Sequence, residues 1–277
     1  MDTPLRTQDQ DARAVDVTVR YIDPSEELPL LNSNDHAGSK KKYDVRHVRI
    51  HDARQRTDLS LDTSGFILLR EPTKMKNYED PEELARVAYP EFEAIVKRLT
   101  GADRVLCFGP VLRSSAAHPG GGIIKEPSVA AHVDLTLKSL RDQIVLSVGE
   151  KEAEPLLKRD FVNLNLWRPL KKVESKPLCL CDAETVERDE DMKIAGIINS
   201  FRNEGEPPVP YRESYNMMWR PRHRWYYVPD MEPDELLVFK LGDSRNKQLC
   251  PHTAFDLPGS EHAAPRESFE IRTIAFI

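Results

Sequence analysis

Hydrophobic and polar residues alternate along much of this chain, and the alternation predicts short strands. Val17, Val19 and Tyr21 are separated by polar residues. That is the period of two that lays one side of a strand on a core. Val45, Val48 and Ile50, then the apolar run 66–69, read as further strands. It becomes strict over residues 161–167, where Phe161, Asn163, Asn165 and Trp167 fall on one face and Val162, Leu164 and Leu166 on the other. Residues 105–108, 131–134, 177–181, 211–218, 224–228, 236–240 and 268–277 supply the other strand candidates.

The period changes to 3.6 after Pro81, a residue suited to the first turn of a helix. Leu84, Val87, Ala88, Phe92, Ile95, Val96 and Leu99 recur at helical spacing. Pro90 is expected to kink or divide this helix, and Gly101 to cap it. Residues 137–148 read as a second helix. The first 15 residues read as a loose tail, 32–42 as an exposed loop and 119–122 as a Gly-rich turn. Roughly eight short strands at turn-punctuated spacing suggest a barrel or jelly roll. No repeat and no convincing linker breaks the text, so one domain spanning 1–277 is expected.

Composition narrows the class. The chain has 277 residues, 40 basic and 46 acidic, for a net charge of −6. That argues against a nucleic-acid partner bound through a broad basic face. No window approaches about 18 consecutive apolar residues, so no membrane span is expected. The polar N-terminus lacks the apolar core of a secretory signal. Cys107, Cys179, Cys181 and Cys250 form no CxxC pair, which leaves neither a disulfide framework nor a structural zinc site. Cys179 and Cys181 read as core residues on one strand face. A reduced, cytoplasmic protein is expected. Pro is abundant, 21 against 12 Gly, in keeping with many turns and strand edges.

Three short motifs carry candidate chemistry. In His132-Val133-Asp134 the imidazole and carboxylate share a strand face and can share one metal ion. Pro251-His252-Thr253, far downstream, offers the second histidine of a two-His, one-carboxylate triad, which leaves three positions of an octahedral ion open. Arg266 and Ser268 then share a face of the last strand, and an Arg fork with a hydroxyl suits a carboxylate. Each motif alone also has a structural reading: a surface pair, a packing histidine, a surface arginine. Together and in this order they point to an oxygenase with Fe(II) on His132, Asp134 and His252 as metal ligands and catalytic centre. Arg266 and Ser268 would hold the far carboxylate of 2-oxoglutarate, with Arg272 the alternative anchor and O2 the oxidant.

The segments AHVDLT, NLNLWRPL, PLCLCDAETV, RHRWYYVPDMEPDELLVFKLGDS, PHTAFDLP and PRESFEIRTIAF resemble those of the AsaB-like hydroxylase/desaturase family. That family includes the gibberellin-desaturase type and proteins likened to a cephalosporin methoxylation component. The resemblance covers roughly Gly101 to Ile277. It implies a mainly β fold with flanking helices and a double-stranded β-helix (jelly-roll, cupin-like) core. Residues 101–277 would form that core, braced by strands and helices of 1–100. It implies Fe(II), 2-oxoglutarate and O2, and oxidative tailoring of a small molecule in secondary metabolism. The outcome would be hydroxylation, desaturation or ring closure, such as aziridine formation on a valine-like amino acid. A methyl-donor site is not expected, because no Gly-rich turn joins an early strand to a helix.

Other residues keep two readings. Asn165 and Trp167, with Asn163, line a polar cofactor pocket or are a core indole with two edge amides. Arg168 reads as a structural ion pair, for example with Asp182 or Asp243. Asp243-Ser244 reads as a turn or as support for a ligand histidine, and His118 as part of a lid. Arg113, Arg168 and Arg272 are candidates to hold an anionic substrate. The rival functions are a cupin-type metal enzyme that uses no 2-oxoglutarate and a non-catalytic jelly-roll binding module.

Overall fold

The computed structural model describes residues 13–27, 31–32, 42–116, 124–198, 212–245 and 248–277. Within them fifteen strands form two sheets. The strands are β1 (Val15–Ile22), β2 (Leu31–Asn32), β3 (Tyr43–Asp52), β4 (Phe66–Arg70), β5 (Arg104–Ser114), β6 (Ile124–Lys125), β7 (His132–Val133) and β8 (Phe161–Pro169). They continue with β9 (Leu178–Cys181), β10 (Met192–Ile198), β11 (Arg212–Met217), β12 (Trp225–Tyr227), β13 (Glu235–Asp243), β14 (His252–Ala254) and β15 (Glu267–Phe276). One sheet runs β1-β3-β12-β9-β14-β7-β11-β10-β2, the other β4-β13-β8-β15-β5-β6. Strands from the first hundred residues enter both sheets: β1 pairs with β3, and β4 with β13.

The two sheets pack face to face. Ile50, Leu180, Trp225 and Tyr227 of the nine-stranded sheet share one core with Trp167, Leu237 and Phe239 of the six-stranded sheet. This is the jelly-roll architecture that the strand spacing suggested. The strict alternation of β8 has a simple cause. Its Val162, Leu164 and Leu166 face away from the sandwich and meet Phe92, Ile95 and Val96 of helix α2. Both faces of β8 are therefore covered, and all nine of its residues are buried.

The helix predicted from residue 81 forms in three pieces. α1 (Pro81–Glu83) leads into a π turn (Leu84–Ala88) and then α2 (Tyr89–Thr100). Pro90 has no N–H to give, and the Tyr89 N–H bonds back five residues to the Leu84 carbonyl. The widened turn absorbs the proline, so the helix continues where a kink or break was expected. Gly101 follows with φ +72°, the left-handed cap predicted for it. The predicted helix at 137–148 is α3 (Leu137–Val148), started by the Thr136 side chain and followed by α4 (Glu150–Leu156). These two close one end of the sandwich through Leu140, Ile144, Ala153 and Leu156 against Phe161 and Phe276.

Some readings need correction. Buried Arg168 pairs with neither Asp182 nor Asp243; its Nη1 donates to the Pro233 carbonyl at 2.8 Å. Asp182 is taken by Arg56 and Arg224, and Asp243 by Lys240. Asp243 and Ser244 form a turn that holds the Arg245 N–H and Asp160. His118, the Gly-rich turn and most of the 32–42 loop lie outside the described residues. Among the described residues no helix is long and apolar enough to cross a membrane.

Candidate active site

β7 is only two residues long, yet its register builds the site. His132 lies directly opposite His252 of β14, and cross-strand partners share a face. The two imidazoles therefore meet on that face, 4.4 Å between centroids with their planes tilted by 49°. Asp134 follows two residues after His132 and returns to the same face. Its Oδ1 lies 3.3 Å from His132 Nε2 and 3.9 Å from His252 Nε2. One ligand atom from each of the three residues falls within 4.8 Å of the others, a spacing a single ion can bridge.

The protonation pattern suits a metal. His132 Nδ1 lies 2.8 Å from the Ala130 carbonyl, which can only accept, so the proton sits on Nδ1 and Nε2 presents its lone pair. Burial and the neighbouring His132 push the His252 imidazole down to about 3, which keeps it neutral. Burial opposes the charge of Asp134, yet the Arg272 guanidinium beside it holds its carboxyl well below the usual range. Phe239, from the opposite sheet, packs 4.9 Å from the His252 ring. Two neutral nitrogens and one carboxylate oxygen on one side of an open space fit a divalent transition metal.

A cavity runs from this cluster toward Arg266. It is narrow, about 10 Å³, and is lined in part by His132, His252, Trp167, Arg113, Arg266 and Glu270. Arg266 is 2% exposed. Its Nη1 donates to the Lys176 carbonyl at 2.8 Å and its guanidinium lies 5.4 Å from the Trp167 ring centroid, but Nε has no partner. Among the described residues no carboxylate forms an ion pair with it. Burial, with repulsion from Arg113, pushes this guanidinium down to about 9. Ser268 is buried nearby on the inward face of β15, and its Oγ also lacks a partner. Asn165 is fully buried with both amide atoms unpaired. Buried polar groups are rarely left so, which marks these three as groups built to meet something the chain itself does not supply.

The alternative anchor, Arg272, is already engaged. Its Nε donates to Asp134 Oδ2 at 2.8 Å, Nη2 to Glu270 Oε1 at 3.1 Å and Nη1 to the Gly109 carbonyl at 3.2 Å. Arg113 is likewise bound to Glu270 and to the Glu126 carbonyl. Sequence reasoning passed over Glu270. A signal was present: Ser268, Glu270 and Arg272 alternate with Phe269 and Ile271 in the first half of β15, so three polar side chains enter one buried face.

Comparison with known proteins agrees with this geometry. A family model described as an oxidoreductase/YMDC permease-like domain matches residues 19–276. The alpha-ketoglutarate-dependent dioxygenase phiK of a fungal species is 31% identical over 273 residues, covering 94% of this chain and 95% of the relative. The hydroxylase/desaturase efuI of Hormonema carpetanum is 30% identical over 258 residues, 86% of each chain. Among solved structures, the iron and alpha-ketoglutarate-dependent endoperoxidase NvfI superposes with a TM-score of 0.79 at 25% identity, covering 95% of this chain and 98% of that one. The chain therefore belongs to the family of Fe(II)/2-oxoglutarate-dependent dioxygenases and hydroxylase/desaturases, oxidoreductases that use Fe(II), 2-oxoglutarate and O2.

Proposed function

We propose that this chain oxidises a small molecule of secondary metabolism, with His132 Nε2, Asp134 Oδ1 and His252 Nε2 as the iron ligands. Arg266 and Ser268 grip the far carboxylate of 2-oxoglutarate. The observation that carries the reading is the buried Arg266. A guanidinium withdrawn from water without an ion-pair partner is costly until an anion arrives. Ser268 Oγ offers a second donor on the same face, and Asn165 and Trp167 bound the same interior.

Bound there, Fe(II) with 2-oxoglutarate and O2 supplies the oxidising step, releasing succinate and CO2. The residues of this chain place and enclose that chemistry. His132 is fixed in one tautomer by Ala130, and Asp134 turns one oxygen toward the histidines. Phe239 and Trp167 keep water from the buried side. Hydroxylation, desaturation and oxidative ring closure, including aziridine formation on a valine-like amino acid, are the outcomes to which the reading extends. The whole of 1–277 acts as one catalytic unit on this reading. Its four free cysteines are in keeping with a reducing compartment such as the cytoplasm.

Succinate formation tests the assignment. The purified protein with Fe(II), ascorbate, O2 and 2-oxoglutarate is expected to form succinate, and His252→Ala is expected to lose it. Wild-type succinate output from His252→Ala would refute the ligand set. Metal binding with no 2-oxoglutarate binding would instead favour a cupin-type enzyme.

A further inference from the structure

The Asp134 carboxylate is divided between two tasks. Oδ1 faces both histidines, while Oδ2 accepts from Arg272 Nε at 2.8 Å across the gap between the sheets. Arg272 is held in turn by Glu270, and Glu270 Oε1 also accepts from Arg113 Nη2 at 3.0 Å. Four charged groups thus alternate in sign from Arg113 through Glu270 and Arg272 to Asp134. Their side chains are only 15%, 6%, 10% and 11% exposed. The chain has no net charge, so its cost of burial is offset internally.

The backbone makes room for this arrangement. Gly109 has φ +57°, and a Cβ added there would sit 3.3 Å from Arg272 Nη1. The pairing of β15 with β5 shifts register between Glu270 and Arg272. That bulge aims both side chains at the interior beside Asp134.

We propose that the Arg113–Glu270–Arg272 chain is a positioning device that presents Asp134 to the metal through Oδ1 alone. The inference rests on the ligand assignment above. A carboxylate free at both oxygens can chelate an ion through two of its positions. Arg272 occupies Oδ2, so Asp134 would offer an ion one oxygen and leave more of the ion's coordination sphere to the cosubstrates. Arg272 touches neither substrate nor metal in this role; it acts through Asp134.

Co(II) absorption tests the device without turnover, because its visible bands report coordination number and geometry. Co(II) is titrated into wild type, Arg272→Met, Arg272→Lys and Glu270→Gln, and 2-oxoglutarate is then added to each. Arg272→Met is expected to change the Co(II) bands and to weaken metal or 2-oxoglutarate binding by about 10- to 100-fold, the usual effect of losing a partner of a metal ligand. Arg272→Lys is expected to recover part of the loss, and Glu270→Gln to show a smaller change in the same direction. Bands and affinities in Arg272→Met equal to wild type would overturn the proposal. If Arg272→Met does not fold, Glu270→Gln decides: unchanged bands and affinities there overturn it equally. Wild type that binds no Co(II) would overturn the ligand assignment itself rather than the positioning device.

Discussion

β15 buries one arginine at its middle and a second just before it begins, and the two live in opposite conditions. Arg272 donates to Asp134, Glu270 and a backbone carbonyl, and burial notwithstanding, those two carboxylates keep its guanidinium raised above the ordinary value. Arg266, just before the strand, has a carbonyl and an indole face but, among the described residues, no ion pair, and Glu270 offsets only part of its cost. One arginine is engaged inside the protein by Asp134 and Glu270. The other lines the same pocket as His132 and His252 and, among the described residues, forms no ion pair. A buried charge that is paired belongs to the architecture; one that is unpaired points to a ligand.

This contrast predicts opposite changes in stability for the same substitution. In thermal melts of the metal-free protein, Arg272→Met is expected to cost about 3–5 kcal/mol, because Asp134 and Glu270 lose their partner while buried. Arg266→Met is expected to be neutral or stabilising, because a cation without an ion-pair partner gives way to an apolar side chain of similar length. Two equal losses would break the comparison. A smaller effect sharpens it: Ser268→Ala should weaken 2-oxoglutarate by about 1 kcal/mol, roughly five- to tenfold, the worth of one hydrogen bond. The melting temperature should not fall, since Ser268 Oγ has no partner to lose. Isothermal titration against a parallel melt separates the two quantities.

Much of this was legible in the residues, and the rest was hidden for identifiable reasons. Period-two alternation in 161–167 told which residues of β8 share a face, and the structure divides them in that way. The His132-Val133-Asp134 spacing put an imidazole and a carboxylate on one face, and the structure brings His252 to them. Periodicity does not reveal which strands pair. The register that sets His132 opposite His252 joins segments far apart in the chain, as does the bond from Arg272 to Asp134. Arg272 and Arg266 have the same strand parity, so pattern alone left either as the anchor; only their neighbours separate them. β10 escaped notice because Lys193 and Gly196 interrupt an otherwise apolar run. The π turn before Pro90 escaped because a proline in a helical pattern ordinarily signals a break.

The most direct test is an anaerobic titration of the Fe(II)-loaded protein with 2-oxoglutarate, followed by the weak visible charge-transfer band of the chelate. Wild type should give a saturable band. Arg266→Met should give the same band with its midpoint moved to higher 2-oxoglutarate by on the order of a hundredfold, about 3 kcal/mol, as expected when one side of a buried charged contact is removed. Fe(II) affinity in that variant should stay at the wild-type value. An Arg266→Met titration that overlays wild type would contradict the account, since the unpaired arginine would then not be the cosubstrate anchor.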